Sequence, residues 1–220
     1  MMKTPRTMIP ALGLALLALT SWAAAADLAD IPLPPPRMEG GKPLLQALKD
    51  RQSSRAFSSR PLPDQVMSDL LWAAFGINRP ESGKRTAPSA RNWQEIEIYA
   101  VLEDGAYRYD AGANILRAVV PGDLRGQTGP QAFAATAPLN LVFVADVSKM
   151  SGSAPEDRAR YMGADTGYIS QNVYLFCASE GLATVVRGMV DRKALARALN
   201  LPESQQVVFA QTVGYPADAP

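Results

Sequence analysis

The run Leu139-Asn140-Leu141-Val142-Phe143-Val144-Ala145 is the strongest strand signal in the chain. The segment 156–180 that follows predicts one long helix, closed by Gly181 as its C-cap. Around this pair the other signals alternate between strand and helix. Residues 44–49 begin a helix, and Pro63-Asp64 starts another whose apolar face (Val66, Leu70, Leu71, Ala74, Phe75) runs until Gly76. Residues 78–86 predict a polar loop. Ile96, Ile98, Ala100 and Leu102 alternate as a strand, and Glu103-Asp104-Gly105 turns the chain into a short partner strand at Tyr107-Arg108-Tyr109. Asp191 caps a helix reaching Leu199, and residues 207–213 form a last strand before Gly214-Tyr215-Pro216. With no internal repeat and no shift in composition, the expectation is one α+β domain over 43–220.

Two segments precede it. Lys3 and Arg6, the apolar run 9–20 and the Ala23-Ala24-Ala25-Ala26 stretch before Asp27 read as a cleaved signal peptide over 1–26, which places the protein in the periplasm or outside the cell. Residues 27–42, with Pro32, Pro34, Pro35 and Pro36, read as an extended Pro-rich arm that either wraps a partner or tethers the N-terminus.

The residue inventory excludes much chemistry. There is no histidine and a single cysteine, Cys177, which removes Ser-His-Asp and Cys-His catalysis, histidine-based zinc sites and internal disulfides. Cys177 lies in an apolar helical stretch and reads as a small buried hydrophobe. Lys and Arg total 22 against 21 Asp and Glu, a net charge of +1 that gives no basic field for nucleic acid. Such an enzyme depends on carboxylates, Arg or Lys, or a borrowed cofactor.

Two short stretches fit the last option. Arg51-Gln52-Ser53-Ser54-Arg55-Ala56-Phe57 sets two guanidinium groups and two hydroxyls close together, a set suited to a phosphate and the electron-rich edge of a flat heterocycle. Pro88-Ser89-Ala90-Arg91-Asn92-Trp93-Gln94 offers hydroxyl, amide and backbone groups on a Pro-started loop. Taken alone, the first reads as a solvated helix end and the second as a plain turn.

In this order, and followed by a strand, the two stretches resemble the nitroreductase family of flavin mononucleotide (FMN) oxidoreductases. The likeness extends from about residue 44 to 216. Leu70-Leu71-Trp72-Ala73-Ala74-Phe75-Gly76-Ile77, Arg85-Thr86-Ala87-Pro88-Ser89-Ala90, Tyr99 and the Tyr107-Arg108-Tyr109 hairpin resemble its SagB-type branch. Residues 167–184 and Val213-Gly214-Tyr215-Pro216 are similar to the family's central helix and closing strand.

The resemblance implies a mixed sheet flanked by helices, an intertwined homodimer and two flavin sites at its interface. It implies that Arg51, Gln52 and Ser53 lie at the phosphate and ribityl side, with Arg55 near the pyrimidine edge. Pro88, Ser89, Ala90, Asn92 and Gln94 are then expected around the ring and ribityl groups, and Val185, Arg187 and Gly188, in a loop after the long helix, near the reactive nitrogen. A cation beside the pyrimidine edge stabilises anionic reduced flavin. No catalytic residue and no metal ligand is expected, because the flavin carries hydride or electron pairs to a small organic acceptor such as a nitroaromatic or quinone. The alternative is a non-redox protein that holds a flavin or another planar ligand.

Two departures bear on this expectation. Family members usually carry a basic residue beyond Gly-Tyr-Pro, where this sequence reads Ala217-Asp218-Ala219-Pro220; one lost phosphate contact costs about 1.5–3 kcal/mol. Arg187 stands where other members often carry an acid, and is expected to replace the lost charge. Export separates the enzyme from soluble NAD(P)H, so a quinol or a protein is the expected donor.

Overall fold

The computed structural model describes residues 1–2 and 28–217; the leader and the last three residues, on which the export and C-terminal expectations fall, lie outside the described residues. Within these, a seven-stranded sheet runs in the order β1-β6-β5-β4-β7-β9-β8. The strands are β1 (Ile31–Pro32), β4 (Ile96–Val101), β5 (Gly105–Asp110), β6 (Ile115–Pro121), β7 (Leu139–Asp146), β8 (Ala183–Arg187) and β9 (Gln205–Gly214). A separate ribbon, β2 (Ile77–Arg79) with β3 (Lys84–Arg85), occupies part of the expected polar loop.

Every pairing among the described residues is antiparallel, so the sheet is not mixed as expected. The cause is topological. β4, β5 and β6 form a meander, and each later crossing returns the chain against its new neighbour.

β7 explains the arrangement from its sequence. Leu139, Leu141, Phe143 and Ala145 face one core cluster, while Val142 and Val144 face the other. A strand buried on both faces can only be central. On the first face lie α2 (Asp64–Phe75) and the 26-residue α4 (Pro155–Glu180), which also carries α1 (Leu44–Asp50). On the second lies α5 (Arg192–Ala198), with Leu195 buried. Between β6 and β7 comes the short helix α3 (Ala132–Thr136).

The helix ends follow local chemistry. Pro155 opens α4, Glu156 and Asp157 occupy its first turn, and Gly181 closes it with φ 71°. Asp191 caps α5 by accepting from the Ala194 amide at 3.0 Å. Cys177 is fully buried in the core, which pushes its thiol pKa up.

The Pro-rich arm is neither a loose tether nor free to wrap a partner along this stretch. β1 pairs with β6 at the sheet edge, and Asp30 accepts from the Ala118 amide at 2.8 Å. Pro34 takes hydrogen bonds from Ser68 Oγ and Asn114 Nδ2, while Arg37 Nε donates to Asp69 Oδ2 at 2.8 Å. A proline segment suits an edge, where missing amides cost nothing.

Candidate flavin site

Beyond α1 the chain turns extended at Arg51, with φ −58° and ψ 121°. It is stitched between β8 and the end of β9: Ser54 N donates to Thr184 O at 2.9 Å, Ser58 N to Tyr215 O at 2.9 Å, and Ala217 N to Ala56 O at 3.2 Å. Arg51 and Ser53 both meet Tyr174 of α4, while Arg55 is exposed. Ser53 Oγ lies 2.8 Å from Tyr174 Oη, which also accepts from the Val186 amide at 3.0 Å. Tyr174 thereby ties the segment to both α4 and β8. The Arg51 guanidinium sits over its ring, 5.4 Å from the centroid.

Among the described residues neither Arg51 nor Arg55 forms an ion pair, and both keep donors for an anion. A cavity of about 530 Å³ opens beside Arg51, lined also by Gln52, Lys49, Lys42, Thr184 and Pro216. Its one acid, Asp50, is held below the usual carboxylate range by hydrogen bonds from Lys42 and Gln46.

The second stretch lies elsewhere on the molecule. Ala90 N donates to Asp165 Oδ2 at 2.8 Å, and Gln94 N to Ser89 Oγ at 2.7 Å. Gln94 accepts from Arg85 Nε at 2.8 Å and donates to Gly83 O at 3.1 Å, tying the loop to the β2–β3 ribbon. Trp93 packs edge-on against Tyr161 of α4, with ring centroids 5.7 Å apart. Arg91, Asn92 and Gln94 all adopt left-handed backbone, φ 50°, 56° and 48°. Such residues cost energy and persist only when their surroundings fix them. Pro88 and Asn92 are exposed; Ser89 and Ala90 are half-buried.

The two stretches do not meet within one chain. They contact α4 at Tyr174 and Asp165, nine residues apart, which is about 14 Å along a helix axis.

The third group corrects two expectations. Residues 183–187 form edge strand β8 rather than a loop, and the Arg187 side chain turns inward. Its guanidinium donates to Thr128 O (2.7 Å), Asn140 Oδ1 (2.8 Å), Thr128 Oγ1 (3.0 Å) and Thr212 Oγ1 (3.1 Å). Committed to these neutral acceptors, it does not replace a phosphate-binding charge. Burial lowers its pKa to about 10, so it stays protonated at neutral pH. Val185 is buried, and Gly188 is exposed where the strand ends.

Sequence reasoning missed Tyr174, Lys49 and Asp165. Tyr174 and Asp165 lie within the buried stripe of a helix, and their partners are 121 and 75 residues away. No local pattern announces such contacts.

Comparison with known proteins places this arrangement. Residues 48–215 match the nitroreductase family. A protein of Methanocaldococcus jannaschii, provisionally named a nitroreductase, is 31% identical over 170 residues, covering 73% of this chain and 85% of that one. A crystal structure from Ralstonia eutropha JMP134, also provisionally named a nitroreductase, is 41% identical with a TM-score of 0.84, covering 90% of this chain and 94% of that one. The NADPH:FMN oxidoreductase of Vibrio harveyi, solved with NAD+, shares the fold at 21% identity and a TM-score of 0.60, over 80% of this chain and 70% of that one. The chain therefore belongs to the nitroreductase family and is a flavin-dependent oxidoreductase.

Proposed function

We propose that the flavin is FMN, that the enzyme acts as a homodimer with composite sites, and that it is an exported member of the SagB-type branch passing electrons to a small organic acceptor. The observation that carries the cofactor assignment is the Arg51–Arg55 segment, with two arginines and the Ser53 hydroxyl close together in the chain beside a cavity that Arg51 lines. The segment lies beside the start of β8, and its two guanidinium groups are free of carboxylates among the described residues. That donor set fits a phosphate monoester at one end and an electron-rich ring edge at the other. Bound FMN supplies the two-electron chemistry. The chain's own residues orient and charge the site. Arg51 and Ser53 grip the phosphate and ribityl side, and Arg55 stabilises negative charge on the reduced ring.

The dimer reading rests on two features. The loop Ser89–Gln94 is about 14 Å along α4 from the Arg51 segment, so a second chain brings the two together. An apolar face is also exposed: Leu44, Leu45 and Leu48 of α1 are 63%, 80% and 45% accessible, and Tyr168 of α4 is 50% accessible. A cluster of this kind marks an association surface. Export follows from the leader alone, and with it a quinol or protein donor in place of NAD(P)H.

The test separates the two arginines. Arg51→Ala is expected to weaken FMN binding roughly tenfold or more with little change in reduction potential. Arg55→Ala is expected to lower the potential of the bound flavin. Unchanged affinity in the first and unchanged potential in the second overturn the assignment. FMN held tightly but reduced by no donor supports the non-redox binding protein instead.

A further inference from the structure

We infer that Glu95 and Asp165 share one proton, and that this proton fixes the Ser89–Gln94 loop in its ligand-presenting shape. Glu95 is 0% and Asp165 2% exposed. No neighbouring residue donates to either Glu95 carboxyl oxygen when both acids are ionised. The Asp165 carboxyl lies within hydrogen-bonding reach of the Glu95 carboxyl, and two adjacent buried carboxylates do not both hold a charge; one proton between them makes a strong O–H···O⁻ bond instead.

The placement of the pair gives that bond its consequence. Asp165, on α4, already accepts from the Ala90 amide at 2.8 Å. Glu95 follows Gln94 directly in the chain. The shared proton therefore pins the far end of the loop to the same carboxylate that holds its near end. Between these anchors lie the left-handed residues Arg91, Asn92 and Gln94, a strained shape that persists only while its surroundings hold it.

Other charges nearby are engaged elsewhere. Lys149, after β7, pairs with Glu97 at 2.9 Å, and Arg85 of β3 donates to Gln94. Burial above all pushes the Glu95 pKa up to about 7; its own backbone amide works against this, the Asp165 charge and hydrogen bond add to it, and Lys149 lowers it least. Glu95 and Asp165 are positioning residues; the consequence for flavin rests on the reading above, while the loop geometry does not.

The test labels the protein with 5-fluorotryptophan and follows the Trp93 resonance, assigned by Trp93→Phe, across pH. The wild type is expected to show one transition near neutrality. Glu95→Gln, whose amide donates to Asp165 at every pH, is expected to abolish it, and Asp165→Asn to displace or remove it. FMN affinity of the wild type is expected to fall roughly tenfold between about pH 5.5 and about pH 8.5, and that of Glu95→Gln to stay flat. A wild-type Trp93 signal that does not titrate, or one that titrates unchanged in Glu95→Gln, overturns the shared proton. A titrating Trp93 in a protein that binds no FMN at any pH upholds the pair and overturns the flavin reading.

Discussion

Arg187 shows how one buried cation can hold several strands and a turn together. Its guanidinium joins β8 to the turn at Thr128, to Asn140 of β7 and to Thr212 of β9, with no carboxylate among its partners. Removing the side chain strands several buried acceptors, each costing about 1–3 kcal/mol. Arg187→Met is thus expected to destabilise the fold by about 3 kcal/mol or more and to lower Tm by roughly 10 °C. A fall of under about 2 °C in a thermal melt contradicts the cage. Gly129 is held to the same end, because a Cβ there runs into Arg187 Nη1. Glu95 carries the opposite kind of charge. Its raised pKa means the folded state binds more protons than the unfolded state between about pH 4.5 and about 7. Stability is therefore expected to decline as pH rises through that window and to level off above it. Denaturant titrations of wild type and Glu95→Gln check this, with the slope absent in the variant. An equal slope in both contradicts the assignment.

At the scale of elements, the chain is tied together by segments that pair far from where they begin. The arm is one: Leu33 is buried in the main core and β1 closes the edge of β6. Deleting residues 28–36 is expected to bare that edge and promote aggregation, measured by light scattering on gentle warming. A truncated protein that stays monodisperse and equally stable makes the arm dispensable. The elements legible in the sequence were those with local punctuation. Gly76, Gly181 and Asp191 mark the ends of α2 and α4 and the start of α5, and the apolar alternation of β4 and the run of β7 announce strands. The strands missed lack such marks. β6 is half-buried along most of its length and meets β5 through a register shift, so no clean two-residue alternation survives. β8 starts two residues after a helix cap and reads as that helix's exit loop. β1 is only Ile31–Pro32, and its edge pairing depends on partners 85 and 83 residues further along, Leu116 and Ile115 of β6. The candidate site followed the same rule: the Arg51–Phe57 and Pro88–Gln94 stretches stood out as local motifs, whereas Tyr174 and Asp165, which anchor them, did not, because those contacts exist only after folding.

At the scale of the whole molecule, the proposed dimer with composite sites calls for an association surface, and an exposed leucine face supplies a candidate. α1 displays Leu44, Leu45 and Leu48 on one side while Ala47 alone of the helix is buried. Leu45→Glu combined with Leu48→Glu is expected to give a folded monomer by light scattering that no longer retains flavin, since the loop and the Arg51–Arg55 segment then stay apart. A dimer that persists in the double variant places the interface elsewhere. The most direct measurement is a visible absorption spectrum of the purified protein after incubation with FMN and gel filtration, with the elution position recorded in the same run. A flavin band at about one equivalent per chain, co-eluting with a dimer, is the predicted result. Colourless protein at the dimer position contradicts the flavin site, and flavin bound to a monomer contradicts the composite one.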